Sequence, residues 1–314
     1  MPRYRILSFD GGGILGVLTL VLLERIVQEF PTFIKQADLL AGTSTGGIIA
    51  LGLAHGMHPR DIRALYEQKG RIIFQDSWLD DAFDLGSIVG ANYDNRGLEQ
   101  ELKRVFGATK LGDLAQQVLV PAFDLDNGSP DPKRRMWAAK FFSNMGGVYG
   151  DYEVPVYKVA LYTSAAPTYF PVYEGYIDGG MVANNPSVAA IAHALDTRKQ
   201  TAAPTVDQIA LCSLGSGHSL RHISGNRLDW GYAQWARPLV NILINGVMGV
   251  ADYQCRQFLR DRYWRLNPVF PPGVDIQIDG VDQVGKLIEI ARGVDLHETL
   301  LWIDRTWMHP TLEA

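Results

Sequence analysis

Between the short apolar run Ala37–Ala41 and the apolar segment Ile48–His55 stands the pentapeptide Gly42-Thr43-Ser44-Thr45-Gly46. A G-x-S-x-G sequence between a strand and a helix turns the chain so sharply that the serine hydroxyl projects from the C-terminal edge of a sheet. The helix that follows aims its free N–H groups and positive dipole end at the same point, where negative charge on an attacked carbonyl oxygen would be stabilised. Ser44 is therefore a candidate nucleophile, with Gly42 and Gly46 as the residues that permit the turn. Taken alone, the pentapeptide fits equally well a glycine turn whose serine merely caps a helix.

A second glycine cluster, Asp10-Gly11-Gly12-Gly13-Ile14-Leu15-Gly16, follows the β-prone run Tyr4–Phe9. It contains G-x-G-x-x-G, so a dinucleotide site is one reading. That site asks for an acidic residue about 20 residues further on, at the end of the second strand, to hold a ribose. The turn Ala41-Gly42-Thr43-Ser44 occupies that place instead. The other reading is an oxyanion hole, because consecutive glycines present backbone N–H groups with no side chain in the way.

A serine hydroxyl needs a base to become a useful nucleophile. Chain order permits His218, His222, His297 or His309, none of which has a local signature. His55 and His58 lie at the far end of the helix after the turn, and His193 reads as a packed core residue on an apolar helical face. The segment Tyr176-Ile177-Asp178-Gly179-Gly180 places a carboxylate at the end of an apolar strand, against two glycines. In α/β sheets this is where sites are built, although an ordinary turn aspartate is the plainer reading of Asp178 by itself.

The elements that must position these residues follow from hydrophobic periodicity. Strands are expected over Tyr4–Phe9, Ala37–Ala41, Gln117–Phe123, Pro155–Tyr162, Tyr173–Ile177 and Asp207–Leu214. Helices are expected over Ile14–Phe30, Ile48–His55, Asp61–Phe74, Asn95–Phe106 and Ser187–Lys199, the last opened by Pro186 and capped by Asn185. From Arg227 to about Leu266 the text is helical and rich in tryptophan, and a final helix starts at Val281. Strands joined through helices imply a mostly parallel sheet. The expected architecture is α/β and three-layered, with a central, mostly parallel sheet flanked by helices. It forms a single domain over residues 1–314, with a motif-bearing core over about 4–217 and a helical C-terminal region over about 227–314.

With 47% hydrophobic and 20% charged residues in 314, the chain can bury a substantial core. A net charge of −5 offers no broad attraction to nucleic acid or anionic lipid, so any membrane contact must be local. Two cysteines, Cys212 and Cys255, supply neither a disulfide framework nor a zinc pattern. No export signal is read at the N-terminus and the longest apolar runs are too short or too glycine-rich to span a bilayer, so a cytoplasmic location is expected. Trp230, Trp235, Leu239, Ile242 and Leu243 form a series that suits an interfacial helix, with a core helix as the ordinary expectation. Arg256, Arg260, Arg262 and Arg265 read as a solvated basic helix end, with phosphate attraction as the alternative. Trp78, Leu79, Phe83 and Leu85 suit a lid; no metal site is read, with the clustered Asp80 and Asp81 as incidental calcium ligands the alternative.

Three weak motifs coincide in order: DGGGILG, GTSTG and DGG, joined by SAAPTYFP (Ser164 to Pro171) and ANNP (Ala183 to Pro186). Together they resemble the patatin-like phospholipase family, lipid acyl hydrolases that work with a Ser-Asp dyad. The resemblance covers residues 4 to 217. It implies Ser44 as nucleophile, Asp178 as general base and an oxyanion hole built by Gly11, Gly12 and Gly13. Elbow geometry adds the Thr45 N–H, and Gly16, Gly42, Gly46, Gly179 and Gly180 are the remaining motif glycines. Where the family commonly has Arg or Lys after the glycines, this chain has Leu15. The implied activity is of the phospholipase A or lysophospholipase type, on a phospholipid or other acyl lipid met through peripheral membrane contact. No cofactor, metal or nucleic acid partner is implied. An acyltransferase using the same dyad and a phospholipase gated by a small-molecule or protein activator are the alternatives.

Overall fold

The computed structural model describes residues 3–73, 93–146, 150–198, 202–225 and 229–309. Five parallel strands form the centre: β1 (Tyr4–Phe9), β2 (Leu39–Gly42), β3 (Gln117–Asp124), β6 (Ile209–Leu214) and β7 (Tyr263–Leu266). Two antiparallel strands, β4 (Ala138–Ser143) and β5 (Tyr176–Asp178), both pair with β3. The order across the sheet is β4-β3-β2-β1-β6-β7.

Successive side chains on these strands enter two different cores, as the alternation of a pleated strand demands. Leu7, Leu40 and Val118 join one, while Ile6, Leu39 and Leu119 join the other. The first core is closed by α1 (Gly16–Glu29), α2 (Thr45–Ala54), α3 (Pro59–Ile73), α4 (Asn95–Phe106) and α5 (Val156–Ser164). After the short α6 (Gly180–Ala183), the second core receives α7 (Ser187–Ala194) and the C-terminal end of α8 (Tyr232–Leu259). Helices α9 (Val284–Gly293) and α10 (His297–Trp302) return to the first. A parallel sheet covered on both faces explains why β2 and β6 are buried throughout and, Ser213 apart, carry no polar side chain.

Three expectations are corrected. Pro155–Tyr162 is not a strand but the start of α5, whose β-branched and aromatic residues mimic a buried strand because the helix is enclosed from Val159 to Ser164. Strands β4 and β7 are additional: β4 is a partly exposed edge interrupted by Lys140, and β7 lies inside text that reads as one long helix. The core-helix expectation for the tryptophan-rich series fails as well. Cys255 and Leu259 anchor the end of α8, whereas Leu239, Ile242 and Leu243 stand exposed.

The arginine series is not one face. Arg256 pairs with Asp252, Arg262 donates to the Val206 and Ile209 carbonyls, and Arg265 is buried. From β7, Arg265 reaches across to grip both carboxylate oxygens of Asp10 and to bond Ser213 Oγ at 2.8 Å. It thereby ties the end of β1, where the glycine loop begins, to β6 and β7. Removing one partner of such a buried pair strands the other charge. Arg265→Met is therefore expected to lower the unfolding free energy by about 3–5 kcal/mol in urea titration. Adding Asp10→Asn to it should restore part of that loss.

Candidate active site

β1 and β2 end together, and the two glycine turns leave side by side. Thr43 N–H donates to the Phe9 carbonyl at 3.2 Å, and Ser44 then takes φ 53, ψ −124 before α2 begins. A non-glycine residue at positive φ is strained and must be held by its surroundings. Here the Ser44 N–H donates to Thr163 Oγ1 at 2.8 Å, and that hydroxyl donates to the Pro121 carbonyl at 2.6 Å. Thr43 Oγ1 donates to the Ala183 carbonyl at 2.6 Å. Neither elbow glycine has room for a side chain: a Cβ on Gly42 would lie 2.0 Å from the Gly46 carbonyl oxygen, and one on Gly46 2.3 Å from that of Phe9.

Asp178 arrives by a different route. The first residues of β3 pair with β2, up to Leu119 opposite Ala41; the last pair with β5, where Ala122 faces Asp178. β5 therefore continues the same edge of β3 beyond the point where β2 gives out, and it runs back toward the elbow. Pro121 sits at the junction, where a missing ladder donor does least harm. The Asp178 carboxylate accepts the Gly180 N–H at 2.6 Å and lines the same cavity as Ser44. Burial pushes its pKa up to about 6, against the opposing effects of the Gly180 N–H and the Ser44 side chain.

The structure brings Ser44, Asp178, Gly11, Gly12, Gly13 and Thr45 to one cavity of about 1170 Å³. Gly11, however, donates its N–H to the Asn184 carbonyl at 3.0 Å, which removes it as an oxyanion donor. The N–H groups of Gly12, Gly13 and Thr45 have no acceptor among the described residues. The glycine loop is held from below by Ile14 N–H on the Ile278 carbonyl, at 2.8 Å, and by Ser216 Oγ on the Gly11 carbonyl, at 2.9 Å. Gly16 lies against Thr45, and Gly179 against Pro121.

Four supporting residues escaped the sequence reading: Thr163, Asn184, Ser216 and Tyr66, the last joined to Thr45 Oγ1 at 2.5 Å. Their only sequence signal was membership of the SAAPTYFP flank and the ANNP segment for two of these regions. No histidine among the described residues bonds to Ser44. His193 is buried and meets Ser143, His218 and His222 line the cavity, and His297 and His309 are exposed. Asn185 accepts the Ser187 N–H at 3.1 Å, as its capping role requires. The lid candidates Trp78, Leu79, Phe83 and Leu85, with Asp80 and Asp81, lie outside the described residues.

Residues 7–191 match the sequence pattern of the patatin-like phospholipases. The chain belongs to this family. As a patatin-like phospholipase it is a hydrolase acting on lipid esters. It is 31% identical to a "cGAMP-activated phospholipase" of Pseudomonas aeruginosa, over 90% of this chain and 84% of that protein. It is 29% identical to "Protein teg" of Priestia megaterium, over 98% of this chain and 100% of that one. With "Patatin-like protein 4" of Arabidopsis thaliana it shares 25% identity over 85% of this chain and 77% of the relative.

An aspartate whose folded-state pKa is raised from 3.8 to about 6 holds its proton more tightly folded than unfolded. Its contribution to stability is then most favourable at low pH and is lost as pH rises toward 6. Asp178→Asn should therefore raise the unfolding free energy by on the order of 2–3 kcal/mol at pH 8, with the gain vanishing near pH 4. Thermal denaturation of the two proteins across that range measures it.

Proposed function

We propose that this chain cleaves fatty acyl esters of phospholipids, as a phospholipase A or lysophospholipase, through a Ser44-Asp178 dyad and an acyl-enzyme. The observation that carries the reading is the convergence of Ser44 and a buried carboxylate, Asp178, whose basicity burial has raised, on one cavity lined by the glycine loop. Ser44 Oγ attacks the acyl carbonyl while its proton passes to Asp178. The oxygen that becomes negative is met by the N–H groups of Gly12, Gly13 and Thr45, and the start of α2 adds its positive dipole end. Asp178 returns the proton to the departing alcohol, and water then attacks the acyl-enzyme with Asp178 again as base.

The cavity supports the choice of substrate. Its volume lies somewhat above that of ordinary ligand sites, and Leu65, Leu98, Leu102 and Ile48 give it walls suited to an acyl chain. Leu15, which replaces the usual cation, is buried in the same wall and extends the apolar lining. The substrate is met by peripheral contact with a membrane; no helix among the described residues is long and apolar enough to cross one. The second reading is a phospholipase gated by an activator, which the named activity of the Pseudomonas relative favours.

The test is release of fatty acid from mixed phospholipid vesicles, with adduct mass followed by a fluorophosphonate probe. Ser44→Ala and Asp178→Asn should each reduce release by roughly a thousandfold or more, and labelling should disappear in Ser44→Ala. Wild-type activity should rise with pH through about 6, because only the ionised Asp178 accepts the serine proton. A wild type that labels but releases nothing would favour the gated reading, and one that does neither would overturn the dyad.

A further inference from the structure

Between Arg237 and Asp252 the α8 sequence runs for 14 residues, Pro238–Ala251, without a single charge. A helix that is apolar on one side only would bury that side, yet much of this stretch faces outward. Leu239 and Leu243 are 43% and 49% exposed, and Val250 and Tyr253 continue their stripe. The spacing 239, 242, 243, 250, 253 keeps all of them on one helical face. Trp230 and Trp235 stand edge to face, 5.1 Å apart, at the start of the stripe.

The same helix is also a wall of the cavity. Pro238, Asn241, Asn245 and Met248 line it, and Ile242 both lines it and remains 43% exposed. Two residues of the loop after β6 share this double character, Leu220 at 75% exposure and Ile223 at 42%. Ile242, Leu220 and Ile223 therefore form an apolar rim, continuous inward with the cavity that holds Ser44 and outward with the stripe on α8.

We propose that α8 and the Leu220–Ile223 loop are the surface by which this protein docks on a lipid bilayer, and that the lipid ester enters the cavity over the Ile242 rim. The proposal rests on the lipid-ester reading of the cavity. The chemistry favours a bilayer over a folded partner: protein interfaces surround their apolar centre with polar and charged groups, whereas Pro238–Ala251 runs for about four turns without a charge. Fourteen residues are too few to span a membrane but suit a helix lying in the headgroup boundary, with tryptophans at the wet edge. An acyl chain following the rim would pass from hydrocarbon to cavity without its apolar surface meeting water, which removes the main barrier to extracting it.

The test uses two arms on the full-length chain. Cys212 and Cys255 are buried, so Leu243→Cys provides a selectively reactive exposed thiol for an environment-sensitive fluorophore. On vesicles of phosphatidylethanolamine with phosphatidylglycerol its emission should shift to the blue; an unchanged spectrum would overturn the proposal. In the second arm, Leu239→Asp with Leu243→Asp, neither of which lines the cavity, should weaken co-sedimentation with those vesicles roughly tenfold or more. Vesicle hydrolysis should fall in parallel, while cleavage of a monomeric short-chain p-nitrophenyl ester stays at the wild-type rate. Unchanged vesicle binding by the double variant, or its conversion of a wild-type dimer into monomer with no effect on vesicles, would sink the bilayer in favour of a second copy. Loss of p-nitrophenyl ester cleavage in the wild type would count against the dyad, and the fluorophore arm still decides the docking surface.

Discussion

The site depends on keeping two carboxylates out of water at the same edge of the sheet and treating them in opposite ways. Asp10 is buried with a cation on it: burial pushes its carboxyl up, the Arg265 guanidinium pulls it back, and the pair becomes a fixed strut between β1 and β7. Asp178 is buried with no cation beside it among the described residues and accepts the Gly180 N–H, so the penalty of burial is largely unanswered and proton affinity rises. The first arrangement sacrifices reactivity for position and holds the glycine loop. The second sacrifices stability for basicity, which is what the proposed role of Asp178 as a base without a histidine requires. Exchanging the two environments would leave a rigid site without its proposed base.

Much of the fold was legible because parallel strands buried on both faces leave unmistakable apolar runs, and because sharp turns at a sheet edge need glycine. Tyr4–Phe9, Leu39–Gly42 and Ile209–Leu214 lie close to the expected runs, and the three motifs fall on one cavity. What escaped was decided by tertiary contact. The α5 helix reads as a strand since enclosure, not amphipathic period, selected its residues, and β7 hides behind Arg260, which leaves α8 through a φ of 52. Thr163, Asn184 and Ser216 act on the elbow and the glycine loop across separations of over a hundred residues, a range at which local pattern is silent. The Gly11 N–H illustrates the same limit. Its residue type suits an oxyanion donor, yet the Asn184 carbonyl had already engaged it.

The exposed half of α8 shows the converse, a segment whose composition points to the core and whose position does not. Its C-terminal end is fixed by Cys255 and Leu259, and Tyr263 binds Asp252 at 3.0 Å, so the helix is anchored before the uncharged stretch leaves the body. An apolar face outside a core is informative where it joins a cavity, and here Ile242 belongs to both.

The pairing of β5 with β3 has one more consequence. Strand registers come in whole residues, and adjacent side chains point to opposite faces. Asp178 therefore cannot drift by fractions along β3. A slip by one place would present Ile177 to the elbow and turn the carboxylate toward the other side of the sheet. Alignment of the proposed dyad is thus digital rather than graded, and on that proposal a chain misfolded at this edge would be a silent member of the population, not a slow one.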